Sequence, residues 1–183
     1  FYRVVSKIGE GSTSEVFKII DERTGYVMCK KVIKANYEGN KAYFKNVKNT
    51  LKESEVLFQI DDPCICKAIG INTQEEIQRQ EFNDESESDN ENHITTIALF
   101  FKFLPYSLKK CIEQNILSNT LKVRIALEVA FGMSRIHHEG MMHRDLKIEN
   151  IMMNDIFEAK IIDFGLVHPG YFSSSSYSLT KGI

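Results

Sequence analysis

Tryptophan is absent from the 183-residue sequence, proline occurs only three times, and no hydrophobic run is long enough to span a membrane. The best apolar stretch, Ile97 to Leu104, is interrupted by Lys102, whereas a spanning helix needs about 20 apolar residues. The chain opens on Phe1-Tyr2-Arg3 without the basic and apolar regions of a signal peptide. These absences exclude a membrane-spanning helix and predict a protein with no membrane partner.

Cysteine is also scarce. The four thiols are Cys29, Cys64, Cys66 and Cys111, and their spacing matches neither a metal-ligand pattern nor a disulfide framework. Cys64 and Cys66 could form a redox pair, but two small apolar side chains are the simpler interpretation. Because disulfides are rare in reducing compartments, the sequence predicts an intracellular, cytoplasmic location.

Neither sign of charge is in large excess, since 23 Lys and Arg oppose 25 Asp and Glu, for a net charge of −2. Nucleic-acid-binding domains usually carry a basic face, so this balance argues against nucleic acid as a partner. The apolar fraction of 43% is ordinary for a globular chain and sufficient for one sizeable core or two small lobes. Because the chain lacks an initiator methionine, we expect it to be a segment of a longer protein.

Two short motifs carry the chemistry. The first is His-Arg-Asp-Leu-Lys-Ile-Glu-Asn at residues 143–150, and the second is Asp163-Phe164-Gly165, which begins thirteen residues after Asn150. The pattern between them predicts a strand, a polar turn and a second strand. Such a hairpin can direct an amide oxygen and a carboxylate towards one cation, and Mg²⁺ prefers oxygen ligands and phosphate partners.

Together these motifs resemble the catalytic loop and the metal-binding motif of the protein kinase family. The resemblance implies that Asp145 orients the substrate hydroxyl and accepts its proton, while Lys147 neutralises the γ-phosphate of ATP. It also implies that Asn150 and Asp163 bind Mg²⁺. Lys147 is typical of the serine/threonine-specific branch. We therefore expect an ATP-dependent protein kinase that phosphorylates Ser or Thr hydroxyls of protein substrates.

The resemblance implies an α+β, bilobal, kinase-like fold. Residues 1–104 would form an antiparallel β lobe with one main helix and the hinge, and residues 105–183 would begin a mostly helical lobe. The final residues, Thr180 to Ile183, resemble the approach to an Ala-Pro-Glu motif that does not follow. We therefore expect an incomplete kinase domain, truncated in the activation segment, with poor stability and little or no turnover by itself.

Three strands are predicted in residues 1–35, and the first two are joined by a glycine-rich segment. Glycines let backbone N–H groups approach a phosphate that a Cβ would obstruct. The resemblance makes this the loop that covers ATP, formed by Ile8, Gly9, Gly11 and Val16. Ser14 replaces the third glycine of the family motif, which would stiffen the loop. A Rossmann dinucleotide site is excluded because a hairpin, and not a helix, follows.

The third strand contains two candidate phosphate-binding lysines, Lys30 and Lys31. The family motif has a small residue two positions before the lysine, on the same strand face. Cys29 with Lys31 satisfies this better than Met28 with Lys30, and Lys31 follows Val16 by the fifteen residues common in the family. The resemblance thus implies that Lys31 holds the α- and β-phosphates and that Cys29 lines the nucleotide site, with Lys30 as the alternative.

Apolar residues recur at helical spacing from Lys41 to Ile60. The resemblance makes this the helix whose glutamate pairs with the strand lysine. Glu53 has apolar residues three and four positions later and Pro63 ten positions later, as in the family, whereas Glu55 lacks this context. Glu53 is therefore the predicted partner of Lys31.

Residues 72–93 are polar and acidic, with too little apolar content to bury, which predicts a disordered insert between two strands. The resemblance makes Phe101, on the strand that follows, the bulky residue behind the adenine. The backbone of Lys102 to Leu104, including the site residues Phe103 and Leu104, would contact the base in the hinge. Two helices follow, predicted over Ser107 to Leu117 and Thr120 to His138.

Regulation and bracing of the site can also be predicted. Arg144 beside Asp145 implies control by a phosphate on the segment Leu166 to Ile183, because arginine pairs well with phosphate. An upstream kinase or autophosphorylation would add it, and an unmodified serine-rich loop is the alternative. His143 and Phe164 would brace the site. A general-base role for His143 is the weaker hypothesis.

Two further functions are left open. A pseudokinase that binds nucleotide or acts as a scaffold is favoured by Ser14 in the glycine-rich loop and by the incomplete end. A small-molecule phosphotransferase of related fold is disfavoured, because Arg144 and Lys147 suit kinases that act on peptides. Phosphate transfer to peptides and to small alcohols would separate these functions.

Overall fold

The computed structural model describes residues 1–11, 14–33, 40–78 and 92–169. The chain divides into two compact units. The first comprises Phe1–Ser54 and Ala68–Phe103, and the second comprises Glu55–Lys67 and Leu104–Ile183. The lobe division proposed from the sequence, 1–104 and 105–183, assigns residues 55–67 and Leu104 differently and stays a prediction.

A five-stranded antiparallel sheet forms most of the first unit. Its strands are β1 (Tyr2–Glu10), β2 (Ser14–Asp21), β3 (Val27–Ile33), β4 (Ala68–Gln78) and β5 (Asn92–Lys102). They lie in the order β1-β2-β3-β5-β4, so that β2, β3 and β5 have a neighbour on each side. Ile19 on β2 and Leu99 on β5 are completely buried. The sheet therefore has its apolar core on the strands that carry the predicted nucleotide-site residues.

The acidic segment is less irregular than its composition predicts. Residues 72–78 continue β4, residues 92–93 begin β5, and Gln78 pairs with Asn92. The prediction of a loop was wrong for these residues, because backbone N–H and C=O groups extend a ladder however polar the side chains are. The remainder of the predicted insert, 79–91, lies outside the described residues.

Helix α1 (Asn40–Gln59) corresponds to the helix predicted over Lys41 to Ile60. Thr50, Glu53 and Leu57 recur on one helical face and are each at most 4% exposed. A buried carboxylate is costly unless it is paired. The position of Glu53 on this face therefore requires a partner.

Short strands, two further helices, a 3₁₀ turn and the end of α1 make up the regular structure in the described part of the second unit. The helices are α2 (Leu108–Glu113) and α3 (Asn119–His138), and the strands are β6 (Tyr106–Ser107), β7 (Met141–Met142), β8 (Ile151–Met153), β9 (Ala159–Ile161) and β10 (His168–Pro169). β6, β8 and β9 form one sheet, and β7 pairs with β10. Within the described ranges, no helix combines the length and the apolar character that crossing a membrane requires.

The ends of these helices follow local chemistry. α2 is shorter than predicted because Asn115 adopts a left-handed backbone, with φ of 52°, which terminates helices. α3 begins one residue earlier than predicted, since the Ser118 side chain caps it by accepting the Leu121 N–H at 3.2 Å. Its end at His138 agrees with the prediction, and Gly140 follows with φ of 70°.

A buried apolar cluster joins α2 and α3 to the β8–β9 hairpin. Its members are Leu108, Cys111, Leu117, Ile125, Ile151, Met153 and Ala159. Because both strands of the hairpin contribute, packing holds in place the start of β8 and the end of β9. Those ends carry the two sequence motifs.

Candidate active site

The predicted glycine-rich residues lie at the end of β1, at the start of β2 and at Gly11 between them. Gly9 lies opposite Val16 in the strand pairing, and a Cβ on Gly9 would lie 3.4 Å from the Val16 Cβ. The Gly11 N–H donates to the Ser14 carbonyl at 2.9 Å. Ser14 is buried and Ile8 is exposed. The hairpin therefore accommodates Ser14, in place of the third glycine, as the first residue of β2.

Lys31 is the strand lysine that pairs with the helix glutamate. Its Nζ lies 2.9 Å from both carboxylate oxygens of Glu53, and the two side chains are 18% and 3% exposed. Lys30 points to the opposite face of the sheet, where its Nζ donates to the Tyr2 hydroxyl at 2.6 Å. Glu55 is exposed. Lys31 is thus the partner of the buried Glu53 carboxylate.

The same face of the sheet carries other predicted nucleotide-site residues. Val16 lies opposite Lys31, and Cys29 lies opposite both Lys18 and Phe101. Residues that face each other across antiparallel strands, and residues two apart on one strand, share a face. These five side chains therefore line one face of the sheet.

The predicted hinge residues follow the end of β5. Phe103 belongs to the first unit and is partly buried, and the Nζ of Lys18 lies 4.5 Å from the centroid of its ring. Leu104 is buried and belongs to the second unit. Neither residue lies in the β5 ladder.

Lys147 and Asn150 hold the side chain of Asp145. The Asp145 Oδ2 accepts hydrogen bonds from Lys147 Nζ at 2.7 Å and from Asn150 Nδ2 at 2.9 Å. The hydrogen bond from Lys147 is the main cause that lowers the pKa of Asp145 below its ordinary value, and it also raises the pKa of Lys147. Asp145 is therefore a carboxylate, and Lys147 an ammonium, near neutral pH.

Asn150 is fixed in orientation. It is 6% exposed, and its Nδ2 also donates to the Asp145 carbonyl at 2.9 Å. Its backbone N–H donates to the Lys147 carbonyl at 2.9 Å, which closes a 3₁₀ turn at Ile148–Asn150. With the amide nitrogen committed to Asp145, the amide oxygen points the other way.

The β8–β9 hairpin places Asp163 one residue beyond a backbone hydrogen bond to Asn150. Ile151 pairs with Ile161, and the Ile162 N–H donates to the Asn150 carbonyl at 3.0 Å. Asp163 comes next, is exposed, and has a left-handed backbone with φ of 65°. Strained non-glycine residues of this kind cluster at functional sites. An amide oxygen and a carboxylate are donors that suit Mg²⁺, which takes few protein ligands and adds phosphates and water.

His143 braces this arrangement from within. Its side chain is 1% exposed, its Nδ1 accepts the Asp145 N–H at 3.3 Å, and its Nε2 lies 3.2 Å from the Ile162 carbonyl. A ring whose Nδ1 accepts must carry its proton on Nε2, which can then donate to that carbonyl. The Phe164 ring packs edge-on against it, with centroids 5.0 Å apart. Both ring nitrogens are engaged, which favours the bracing role over the general-base reading.

Arg144 is exposed and has φ of 67°. The neighbouring His143 is buried, so adjacent residues of the motif differ sharply in exposure. The serine-rich part of the segment proposed to carry a regulatory phosphate, residues 170–183, lies outside the described residues. Control of the site through Arg144 stays a prediction.

The family to which these features belong can be tested by comparison. A family model described as "Protein kinase domain" matches residues 2–180. The chain belongs to the protein kinase family. This membership confirms the resemblance and the kinase-like α+β fold predicted from the sequence.

Curated proteins similar to this kinase domain cover most or all of its length. "Serine/threonine-protein kinase BIK1" of Arabidopsis thaliana is 30% identical over 189 residues, which cover 98% of this chain and 44% of the relative. "Probable CTD kinase subunit alpha homolog" of Encephalitozoon cuniculi is 30% identical over 182 residues, covering 100% and 46%. "Dual specificity testis-specific protein kinase 2" of Mus musculus is 27% identical, covering 87% and 24%. The chain spans less than half the length of these relatives.

The kinase domain contains a further contact that the sequence analysis missed. Arg124 on α3 donates to the carbonyls of Ile156 and Phe157 at 3.0 and 2.8 Å, and Glu128 accepts the Ala159 N–H at 2.7 Å. Both side chains thus tie α3 to the turn of the β8–β9 hairpin. Their i,i+4 spacing indicates a shared helical face, but nothing local in the sequence identifies the backbone groups they bind.

Proposed function

We propose that this protein is a kinase that transfers the γ-phosphoryl group of Mg²⁺-ATP to Ser or Thr hydroxyls of protein substrates. The observation that carries the proposal is the Asp145 carboxylate held by Lys147 and Asn150. Phosphoryl transfer requires a group that orients the attacking hydroxyl, and positive charge near the phosphates. An ionised carboxylate beside a lysine supplies both.

In the proposed reaction, Asp145 accepts a hydrogen bond from the substrate hydroxyl and directs its oxygen towards the γ-phosphorus. As the new P–O bond forms and the bond to ADP breaks, the hydroxyl proton passes to Asp145. Lys147 offsets negative charge on the transferring group. The lowered pKa of Asp145 supports a role in orientation, with proton acceptance late in the transfer.

Nucleotide binding is assigned to the face of the sheet that carries Lys31. We assign the α- and β-phosphates to Lys31, with Glu53 holding its ammonium in place. The remaining proposed contacts are Ile8, Gly9, Gly11 and Val16 in the glycine-rich loop, Cys29 and Phe101 beside the adenine, and Phe103 and Leu104 in the hinge.

Asn150 and Asp163 are the residues that would hold Mg²⁺. When bound, the ion would offset the negative charge of the phosphates during transfer. Nδ2 of Asn150 is held by Asp145, so the amide oxygen is oriented before any ion binds. Preorganised ligands of this kind lose less conformational freedom on binding.

The preference for Ser and Thr rests on Lys147 and on the relatives. Two of the similar proteins carry serine/threonine-protein kinase or CTD kinase in their names, and a third is named a dual specificity kinase. Protein substrates, an intracellular location, and activation by an upstream kinase or by autophosphorylation complete the proposal.

The test is Mg²⁺-ATP transfer to a generic Ser/Thr substrate by the full-length protein and by its Asp145→Asn variant. We expect the variant to lose transfer by about 10²- to 10⁴-fold and to bind ADP as the unsubstituted protein does. ADP binding without transfer in either protein would favour the pseudokinase, for which Ser14 in the glycine-rich loop is the supporting observation. Transfer to small alcohols but not to peptides would reject a protein kinase.

A further inference from the structure

Lys18 lies on the same face of the sheet as the proposed nucleotide contacts. It is opposite Cys29 in the β2–β3 pairing, and Cys29 is opposite Phe101 in the β3–β5 pairing. Lys18 is two residues beyond Val16, which faces Lys31. Lys18 belongs to none of the motifs that the sequence resemblance assigns.

The ammonium of Lys18 packs on an aromatic ring that the strand ladder does not hold. Its Nζ lies 4.5 Å from the ring centroid of Phe103, within the range of a cation–π interaction. Phe103 follows β5, which ends at Lys102. The contact therefore connects β2 to the first residue after β5, although β3 separates the two strands.

We propose that Lys18 is a positioning residue for adenine-nucleotide binding. The inference rests on the proposed function, in which the Phe103 backbone contacts the base. A ring fixed by Lys18 restricts the rotation of the Phe103 backbone, so the peptide groups are oriented before the base arrives. A site that is ordered in advance loses less conformational entropy on binding.

This role differs from that of a lysine that binds phosphate directly. A positioning lysine acts on contacts to the base, so its loss should weaken the binding of adenosine and of ADP by the same factor. A phosphate-binding lysine should affect ADP and leave adenosine unchanged. The two ligands therefore distinguish the roles.

The experiment measures ADP and adenosine affinity of the full-length protein by calorimetry and competition. The variants are Lys18→Met, Lys18→Arg, Phe103→Leu and the double variant Lys18→Met/Phe103→Leu. Lys30→Met is the matched control. Lys30 lies on β3 and is also a strand lysine over an aromatic ring, with its Nζ 5.0 Å from the Tyr2 centroid, but on the opposite face of the sheet. This control removes the same charge and a similar contact.

We expect Lys18→Met to weaken both ligands about threefold, the size of an exposed cation–π contact. Lys18→Arg should restore affinity, since guanidinium also packs on aromatic rings. In the Phe103→Leu background, Lys18→Met should have no further effect, because residues that act through one contact are not additive. KM for ATP should rise with kcat unchanged, and Lys30→Met should bind like the unsubstituted protein.

Unchanged affinity in Lys18→Met would overturn the inference and leave the proposed function standing. A loss confined to ADP, or a full additional loss in the double variant, would also overturn it. If Lys30→Met weakened both ligands equally, general loss of charge or stability would be the cause, and the inference would fail. Failure of the unsubstituted protein to bind ADP would reject the proposed function itself.

Discussion

The ion pair of Lys31 and Glu53 is largely withdrawn from water, with side chains 18% and 3% exposed. Desolvation of two charges offsets much of their attraction, so a buried pair contributes little net stability. Removal of only one of the two charged side chains is costly, however, because the other charge then stays buried without a partner. The contribution of this pair therefore lies mainly in fixing the position of the Lys31 ammonium.

Replacement of Lys31 by methionine, compared with the same replacement of Lys30, should distinguish the roles of the two lysines. We expect transfer to fall about a hundredfold or more, and the free energy of unfolding to fall by about 3 kcal/mol. Lys30→Met should change transfer by less than about twofold, since Lys30 faces the other side of the sheet. Steady-state kinetics and urea titration measure both effects.

A double variant provides the control for stability. Lys31→Met/Glu53→Gln removes both charges, so it should recover part of the stability lost in Lys31→Met while transfer stays low. If Lys30→Met abolished transfer and Lys31→Met did not, the assignment of the phosphate-binding lysine would be wrong.

Lys147 controls the titration of Asp145. Because Lys147 is the main cause of the lowered Asp145 pKa, Lys147→Met should raise that pKa towards its ordinary value. Carbon NMR of the labelled Asp145 carboxyl measures it. Lys109→Met is the control, since Lys109 pairs with Glu149 at 3.1 Å and should leave the Asp145 pKa unchanged.

The sign of the pH effect follows from this shift. The Asp145 pKa is lower in the folded protein than in the unfolded chain, so the ionised group stabilises the fold above the unfolded pKa of about 4. That contribution is lost as the pH falls through the folded-state pKa. Lys147→Met should reduce this acid-dependent loss, and an identical pH profile in both proteins would contradict the role of Lys147.

At the scale of elements, α3 positions the β8–β9 hairpin by close approach at Gly132. A Cβ there would lie 2.8 Å from Ile161 Cδ1 and 3.1 Å from the Cys64 carbonyl oxygen. Ile161 is completely buried, and the Cys64 carbonyl already accepts the Ile161 N–H at 2.8 Å. A methyl group at residue 132 would therefore have to displace a buried side chain and crowd a hydrogen-bonded carbonyl.

Gly132→Ala should therefore destabilise the protein. Alanine gains up to about 1 kcal/mol over glycine in a helix, but overpacking costs about 1–3 kcal/mol, so we expect a net loss. Thermal or urea unfolding measures it. Adding Ile161→Val removes the Cδ1 atom and should recover part of the loss. A stabilised Gly132→Ala variant would show that α3 can move away from β9.

At the scale of the whole molecule, ligand binding should report on the metal site. ADP with Mg²⁺ at a hundred times its dissociation constant should stabilise the full-length protein by about 2.7 kcal/mol, seen as a rise in Tm of several degrees. In Asp163→Asn, the rise with ADP should be the same with and without Mg²⁺. A rise in that variant that still depends on Mg²⁺ would contradict Asp163 as a metal ligand.

Many of the candidate site residues could be selected from the sequence because their spacing reflects backbone geometry. Cys29 and Lys31, two apart on a strand, share a face, and Glu53 falls on the buried face of a helix whose apolar spacing predicts it. Asn115 shows the limit of such reasoning. Its left-handed backbone ends α2 early. The sequence does not indicate that the helix ends at this asparagine and not at a later polar residue.

Spacing along the chain predicts the two kinase motifs, most of the strands and helices, and the candidate site residues. Only the tertiary structure decided which of two adjacent lysines meets Glu53, which nitrogen of His143 carries the proton, and that Lys18 lies over Phe103. These contacts join residues 22, 19 and 85 positions apart. Local spacing constrains neighbours within one element, whereas strand pairing and core packing bring distant residues together and fix which side chains touch.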